Sequence, residues 1–139
     1  MNLQFQIDEQ LLKDTHFMYD LDLSRLLLMN DRELPWFILV PRRRGVEEII
    51  RLADEDAALL MEEIREVSRF IDHFAKPHKI NVASLGNMVR QLHVHVMGRK
   101  QNDRAFPKPI WSVPAEGDVS YTAEEVEAWR ELVLDWFAP

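Results

Sequence analysis

The sequence predicts an α+β fold in which an antiparallel sheet is served by a long central helix and a C-terminal helix. Three patterns carry this expectation. Two apolar runs of strand length, SRLLLMN and WFILVPR, flank Asp31-Arg32-Glu33-Leu34-Pro35, whose Asp and Pro suit a turn, so the pair reads as a β-hairpin. Leu60, Ile64, Val67, Ile71 and Phe74 recur at spacings of four, three, four and three, the stripe of an amphipathic helix. Val126, Trp129, Val133 and Trp136 give a second such stripe near the end of the chain. Strands, a helix and further strands in that order suit helices packed on an antiparallel sheet. With 139 residues the chain fits one domain over 1–139, because two halves would each bury too little apolar surface.

Taken in order, the elements begin with a short helix near residues 9–15, where Leu11 and Leu12 follow the N-cap candidate Asp8. The hairpin comes next. The long helix starts at Asp54 and is stopped by Pro77. KINVAS then reads as a strand that leads through Leu85-Gly86-Asn87 into another, QLHVHVMG. Residues 99–121 hold Pro107, Pro109 and Pro114 and little periodicity, which predicts an ordered arm or lid. Thr122-Ala123-Glu124-Glu125 fits a capping box and opens the C-terminal helix.

Composition narrows the function. Apolar residues make up 47% and charged residues 29%, so the chain is too apolar to remain disordered. There is no cysteine, which removes disulfides and thiolate metal sites and suits a reducing cytoplasm. The opening MNLQFQIDEQ has no basic segment followed by an apolar one, and no apolar run reaches the roughly 20 residues that cross a bilayer. A cytoplasmic protein without a membrane partner is expected. A net charge of −7 opposes attraction to a nucleic-acid polymer, while a small anion in a local pocket is compatible with it. The basic groups Arg42-Arg43-Arg44, Arg99-Lys100 and Arg104 are expected to be solvated loop charge.

One stretch stands out, QLHVHVMGR over 91–99. In a strand, alternate side chains share a face, so Gln91, His93 and His95 are expected on one side and Leu92, Val94 and Val96 on the other. Taken alone, the pair of histidines has three readings. They are hydrogen-bonded residues of a sheet edge, two ligands of a metal ion, or phosphate-handling groups. The metal reading lacks a third ligand nearby, since His73 and His78 precede the previous strand. Gly86 and Asn87 just before the strand, with Asn81 and Ser84, offer a close backbone approach and donors that suit a phosphate.

QLHVHVMGR resembles the signature of the histidine triad family of nucleotide hydrolases and transferases, in which three histidines alternate with apolar residues. The likeness extends over about residues 20–100: LLLMNDRELPWFILVPR resembles the family's nucleoside-binding strands, and the long helix, the Asn81 strand and the Gly86-Asn87 turn follow in the family's order. The resemblance implies a histidine-triad-like sheet, with 101–139 as a C-terminal arm and helix.

It also implies roles. His93 matches the central histidine, the family's nucleophile, and His95 the third, which contacts phosphate and assists the leaving group. Gln91 takes the place of the first histidine, which supports the others; an amide can hydrogen-bond there but cannot titrate near neutral pH. Asn30 matches the residue that binds the ribose hydroxyls, Asn87 a phosphate-binding amide, and Asn81 an asparagine near the phosphate. Met88 stands where the family often has Ser or Thr.

The implied chemistry is attack of a neutral His93 on the α-phosphorus of a nucleoside phosphoramidate or a (di)nucleoside polyphosphate, giving a nucleotidyl-histidine that water cleaves. An acceptor, such as a backbone carbonyl, has to hold the other ring nitrogen. The nucleoside is expected over the strands Leu26–Met29 and Phe37–Val40. No metal or cofactor is required, and a homodimer with a continuous sheet is implied. A nucleotide-binding or sensing module with weakened catalysis is the alternative. A metal-dependent hydrolase using His93 and His95 is the third reading.

Overall fold

The structure, a computed structural model, describes residues 4–139. Its elements run α1 (Glu9–Asp14), β1 (Thr15–Asp20), β2 (Ser24–Met29), β3 (Trp36–Pro41), α2 (Asp54–Ala75), β4 (Lys79–Ala83), β5 (Val94–Arg99) and α3 (Ala123–Phe137), with short 3-10 turns at Ile49–Arg51 and Ile110–Ser112. The five strands form one sheet in the order β1-β2-β3-β5-β4, every neighbouring pair antiparallel. The α+β fold with a long helix and a C-terminal helix is as the sequence predicts.

Both faces of the sheet are covered, which explains why β2 and β3 read as unbroken apolar runs rather than alternating ones. On one face Leu26, Leu28, Phe37, Leu39, Val94 and Val96 meet Val67, Phe70 and Ile71 of α2 and Val126 and Val133 of α3. An aromatic cluster forms there, with Phe70 within 6.1 Å of the rings of Phe37, Trp129, Trp136 and Phe137. On the other face Leu27, Trp36, Ile38, Val40 and Met97 are covered by Ile7 and Leu11 from the N-terminal segment and by Ala105 and Ile110 from the arm. Each such side chain, taken from water to full burial, contributes about 1.5–3 kcal/mol.

The α2 helix carries Asp54, Glu55 and Asp56 in its first turn, where the partial positive charge of the helix start favours carboxylates. It ends with Lys76 in the left-handed region at φ 45°, directly before Pro77. Its buried face is rotated from the expected stripe: Phe70 and Glu63 are buried, while Phe74 is partly exposed. Glu63 is there for a reason, since its carboxylate accepts the backbone N–H groups of Leu23 and Ser24 at the start of β2. The helix lies close on β5 because residue 98 is glycine. A Cβ there would stand 2.9 Å from Ile71 Cγ2 and 2.9 Å from Pro35 Cγ.

Three differences from expectation matter for the site. The strand β1 is absent from the sequence reading; it pairs only with β2 at the sheet edge, and of its residues only Met18 is buried. The strand expected over 91–98 begins three residues later, at Val94. Residues 91–93 bond elsewhere instead: Leu92 N–H donates to Val46 O, and Ser84 Oγ donates to His93 O. Finally, Arg99 and Arg104 are not solvated loop charge. Arg99 is 1% exposed and forms a two-armed pair with Asp103, which is equally buried, and Arg104 pairs with Asp31 at 2.8 Å. Together these two pairs tie the arm to the end of β5 and to the hairpin turn.

Candidate active site

The site forms where β5 begins. Register sets Ile38 opposite His95 and Trp36 opposite Met97, so His95 lies on the face covered by the arm. His93 stands just ahead of the strand, and the two imidazole rings are 5.0 Å apart. Both residues are buried.

Each ring is held by a group that fixes its tautomer. His93 Nδ1 lies 2.7 Å from the carbonyl oxygen of Gln91. A carbonyl only accepts, so Nδ1 carries the proton and Nε2 keeps its lone pair. His95 has the opposite arrangement. The indole Nε1–H of Trp36 donates to His95 Nδ1 at 3.0 Å, which leaves the ring proton on Nε2. Burial first, and the neighbouring His93 second, push the His95 pKa down to about 4, so this ring is neutral at physiological pH. One histidine thus presents a lone pair and its neighbour an N–H donor.

A cavity of about 190 Å³ opens against His93, lined by Ser84, Leu85 and Gly86 on one side and Glu47, Glu48, Ile49 and Ile50 on the other. Gly86 has φ 71°, the left-handed turn that glycine adopts without strain. Asn87 follows it, exposed, and borders an adjoining space with Gly86 and Arg90. Met88 is 94% exposed.

Of the residues singled out in the sequence, the structure brings together His93 and His95, while Asn87 follows the Gly86 turn and borders the adjoining space rather than the cavity at His93. The other three are engaged elsewhere. The Gln91 side chain turns to the N-terminal segment, where its Oε1 accepts from Asp8 N–H at 2.9 Å and its Nε2 donates to Gln6 O at 2.8 Å. Only its backbone carbonyl serves His93. Asn81 Oδ1 accepts from the buried Arg99 guanidinium, and Asn30 Oδ1 accepts from Tyr121 N–H. The strands expected to carry the nucleoside have no bare apolar face, since Leu27, Ile38 and Val40 are at most 2% exposed.

Sequence reasoning missed the residues that flank His95. Trp36 is 59 positions away in the chain, and Trp111 of the arm lies 5.4 Å from the His95 ring and 6.4 Å from Trp36. No local pattern marks such a pair. Among the described residues, no group of three or more His, Asp or Glu side chains is arranged to hold a metal ion, and no helix is long and apolar enough to cross a membrane.

Comparison with known proteins agrees with this architecture. The family model described as the HIT domain matches residues 10–102. A histidine triad protein from Bradyrhizobium japonicum is 38% identical, with 96% of this chain and 98% of that chain covered and a TM-score of 0.90. One from Marinobacter aquaeolei VT8 is 39% identical, with 96% of each chain covered and a TM-score of 0.89. One from Sinorhizobium meliloti 1021 is 36% identical, with 95% and 96% covered and a TM-score of 0.89. No curated protein matches the chain.

Proposed function

This chain belongs to the HIT domain family, and from that membership we propose that it is a nucleotide hydrolase or nucleotidyl transferase acting at an α-phosphate through a nucleotidyl-histidine. The observation that carries this reading is the 2.7 Å contact of His93 Nδ1 with the Gln91 carbonyl, beside a cavity. That contact gives His93 a fixed Nε2 lone pair, which is what attack on phosphorus requires. His95 supplies an N–H for a nonbridging oxygen, where charge collects in the transition state. Asn87 and the backbone of the Gly86 turn add donors on the other side.

In this reading Gln91 serves catalysis through its backbone oxygen, while its amide fastens the N-terminal segment. Asn30 and Asn81 are expected to contact substrate only after exchanging their present partners. The metal-dependent alternative has no third ligand among the described residues.

The test is incubation with purine nucleoside phosphoramidates and dinucleoside polyphosphates, followed by acid-free quenching and intact-protein mass analysis. A nucleotidyl adduct that maps to His93 and is lost in His93→Ala supports the proposal. Turnover by His93→Ala near the wild-type rate refutes the nucleophile assignment. Nucleotide binding without adduct or turnover points to the binding module instead.

A further inference from the structure

The Trp36–His95 contact limits what His95 can do. An indole N–H donates and has no lone pair to accept with, so His95 Nδ1 must stay bare. Protonating it would set two N–H groups against each other in a buried place. The described surroundings supply no counter-charge: β3 offers Trp36 and Ile38, β4 offers Ala83, and the arm offers Trp111, none of which titrates. Among the described residues, His93 is the titratable group that faces the ring.

We infer that Trp36 is a positioning residue that fixes His95 as a neutral Nε2–H donor, so the site steadies a phosphate oxygen but gives no proton to the leaving group. The inference rests on the reading of His93 as nucleophile. Its consequence is a substrate class: nucleotides whose leaving group departs as a stable anion, phosphoanhydrides before phosphoramidates. In the first step the Nε2 lone pair of His93 forms a P–N bond. The P–O bond to the leaving group breaks, and its electron pair stays on the departing phosphate or polyphosphate oxygen, which needs no proton. In the second step water adds to phosphorus, the P–N bond returns its pair to Nε2, and the proton from water passes to solvent. A departing amine, by contrast, needs a proton on nitrogen. His93 Nδ1–H is held by Gln91 O, and donation from His95 Nε2–H would leave an imidazolate.

Two experiments decide the matter. Long-range 1H–15N NMR of the wild-type protein at pH 7 reads the tautomers without any turnover. The Nε2–H form is expected for His95, and an Nδ1–H form or a titration midpoint at about 6 or above overturns the assignment. In the second, an adenosine dinucleoside polyphosphate and adenosine 5′-phosphoramidate are assayed side by side with wild type and Trp36→Phe. The wild type should prefer the anhydride, and this preference should shrink by about tenfold or more in Trp36→Phe, where Nδ1 becomes free to take a proton. An equal preference in both proteins, or a wild-type preference for the phosphoramidate, overturns the inference. Turnover with the wrong tautomer refutes the role of Trp36 alone, whereas the expected tautomer with neither substrate turned over refutes the enzyme reading on which the substrate class depends. If Trp36→Phe fails to fold, the wild-type tautomer and wild-type preference still decide.

Discussion

Replacing Asp103 with alanine should destabilise the protein severely. Asp103 takes two hydrogen bonds from the Arg99 guanidinium, at 2.8 and 3.0 Å, and further bonds from the backbone N–H groups of Ala105 and Phe106. Both side chains of the ion pair are 1% exposed, so removing one partner leaves a buried charge whose remaining acceptors among the described residues are Asn81 Oδ1 and Lys108 O. Breaking a buried pair in this way costs about 3–5 kcal/mol. With an unfolding entropy of about 2.1 cal/mol/K per residue over 139 residues, each kcal/mol lowers Tm by about 3.4 °C, giving a drop of roughly 10–17 °C. The pH dependence has a definite sign. Arg99 and the backbone donors hold the Asp103 carboxyl below the usual carboxylate range. Its contribution is therefore complete above an unfolded pKa of about 3.9 and fades as pH falls below that value. Thermal and urea unfolding at pH 7 and at pH 3 supply the test. A loss of under about 1 kcal/mol at pH 7, or a loss that does not shrink on acidification, refutes the reasoning.

Three other substitutions probe the frame of the site. Gly98→Ala pushes a methyl group against Ile71 and Pro35 and should cost about 1–3 kcal/mol by urea unfolding, while the same change at Gly117, where a Cβ meets nothing within 4 Å, is set by its positive φ alone. Glu63→Gln keeps the shape of the side chain but replaces one of two acceptor oxygens with a donor, so one N–H of Leu23 or Ser24 loses its partner; a loss of about 1–3 kcal/mol is expected, and an unchanged midpoint refutes the role given to Glu63. Gln91→His removes two hydrogen bonds to the N-terminal segment, so amide exchange at Asp8 should rise about tenfold or more, while the rate of adduct formation changes by less than about a hundredfold because the backbone carbonyl that holds His93 remains.

Much of the fold is legible because local physics agrees with the tertiary result. The β2–β3 hairpin, the end of α2 at Pro77 and the capping box of α3 all depend on residues within a few positions of one another. β1 was hidden because an edge strand with a single buried residue carries no apolar alternation to read. The burial of Arg99 was hidden for the opposite reason: its partner is nearby, but a charged residue next to Lys100 looks solvated until the arm closes over it. At the site, the sequence calls for a backbone carbonyl beside His93 without naming it, and the structure supplies one only two residues away, at Gln91, whereas the partner of His95 lies across the sheet. The pairing of Ile38 with His95 decides that contact, and register between distant strands is not written in either strand alone.

The face of the sheet that carries His95 is sealed from the two ends of the chain. Ile7 and Leu11 come from before β1, and Ala105 and Ile110 from after β5, with Asn30 and Asp31 fastened to Tyr121 and Arg104. On a ribosome this face is therefore closed late, and the opposite face is completed later still, by α3. Leu27, Trp36, Ile38 and Val40 emerge long before the arm, and a nascent chain that has made its hairpin still displays an apolar surface awaiting a segment some seventy residues downstream. Such exposed intermediates are prone to associate. A chain cut at residue 102, where the family match ends, keeps both histidines and every strand, yet stays at that unfinished stage of biogenesis, and its expected fate is aggregation rather than a smaller working protein.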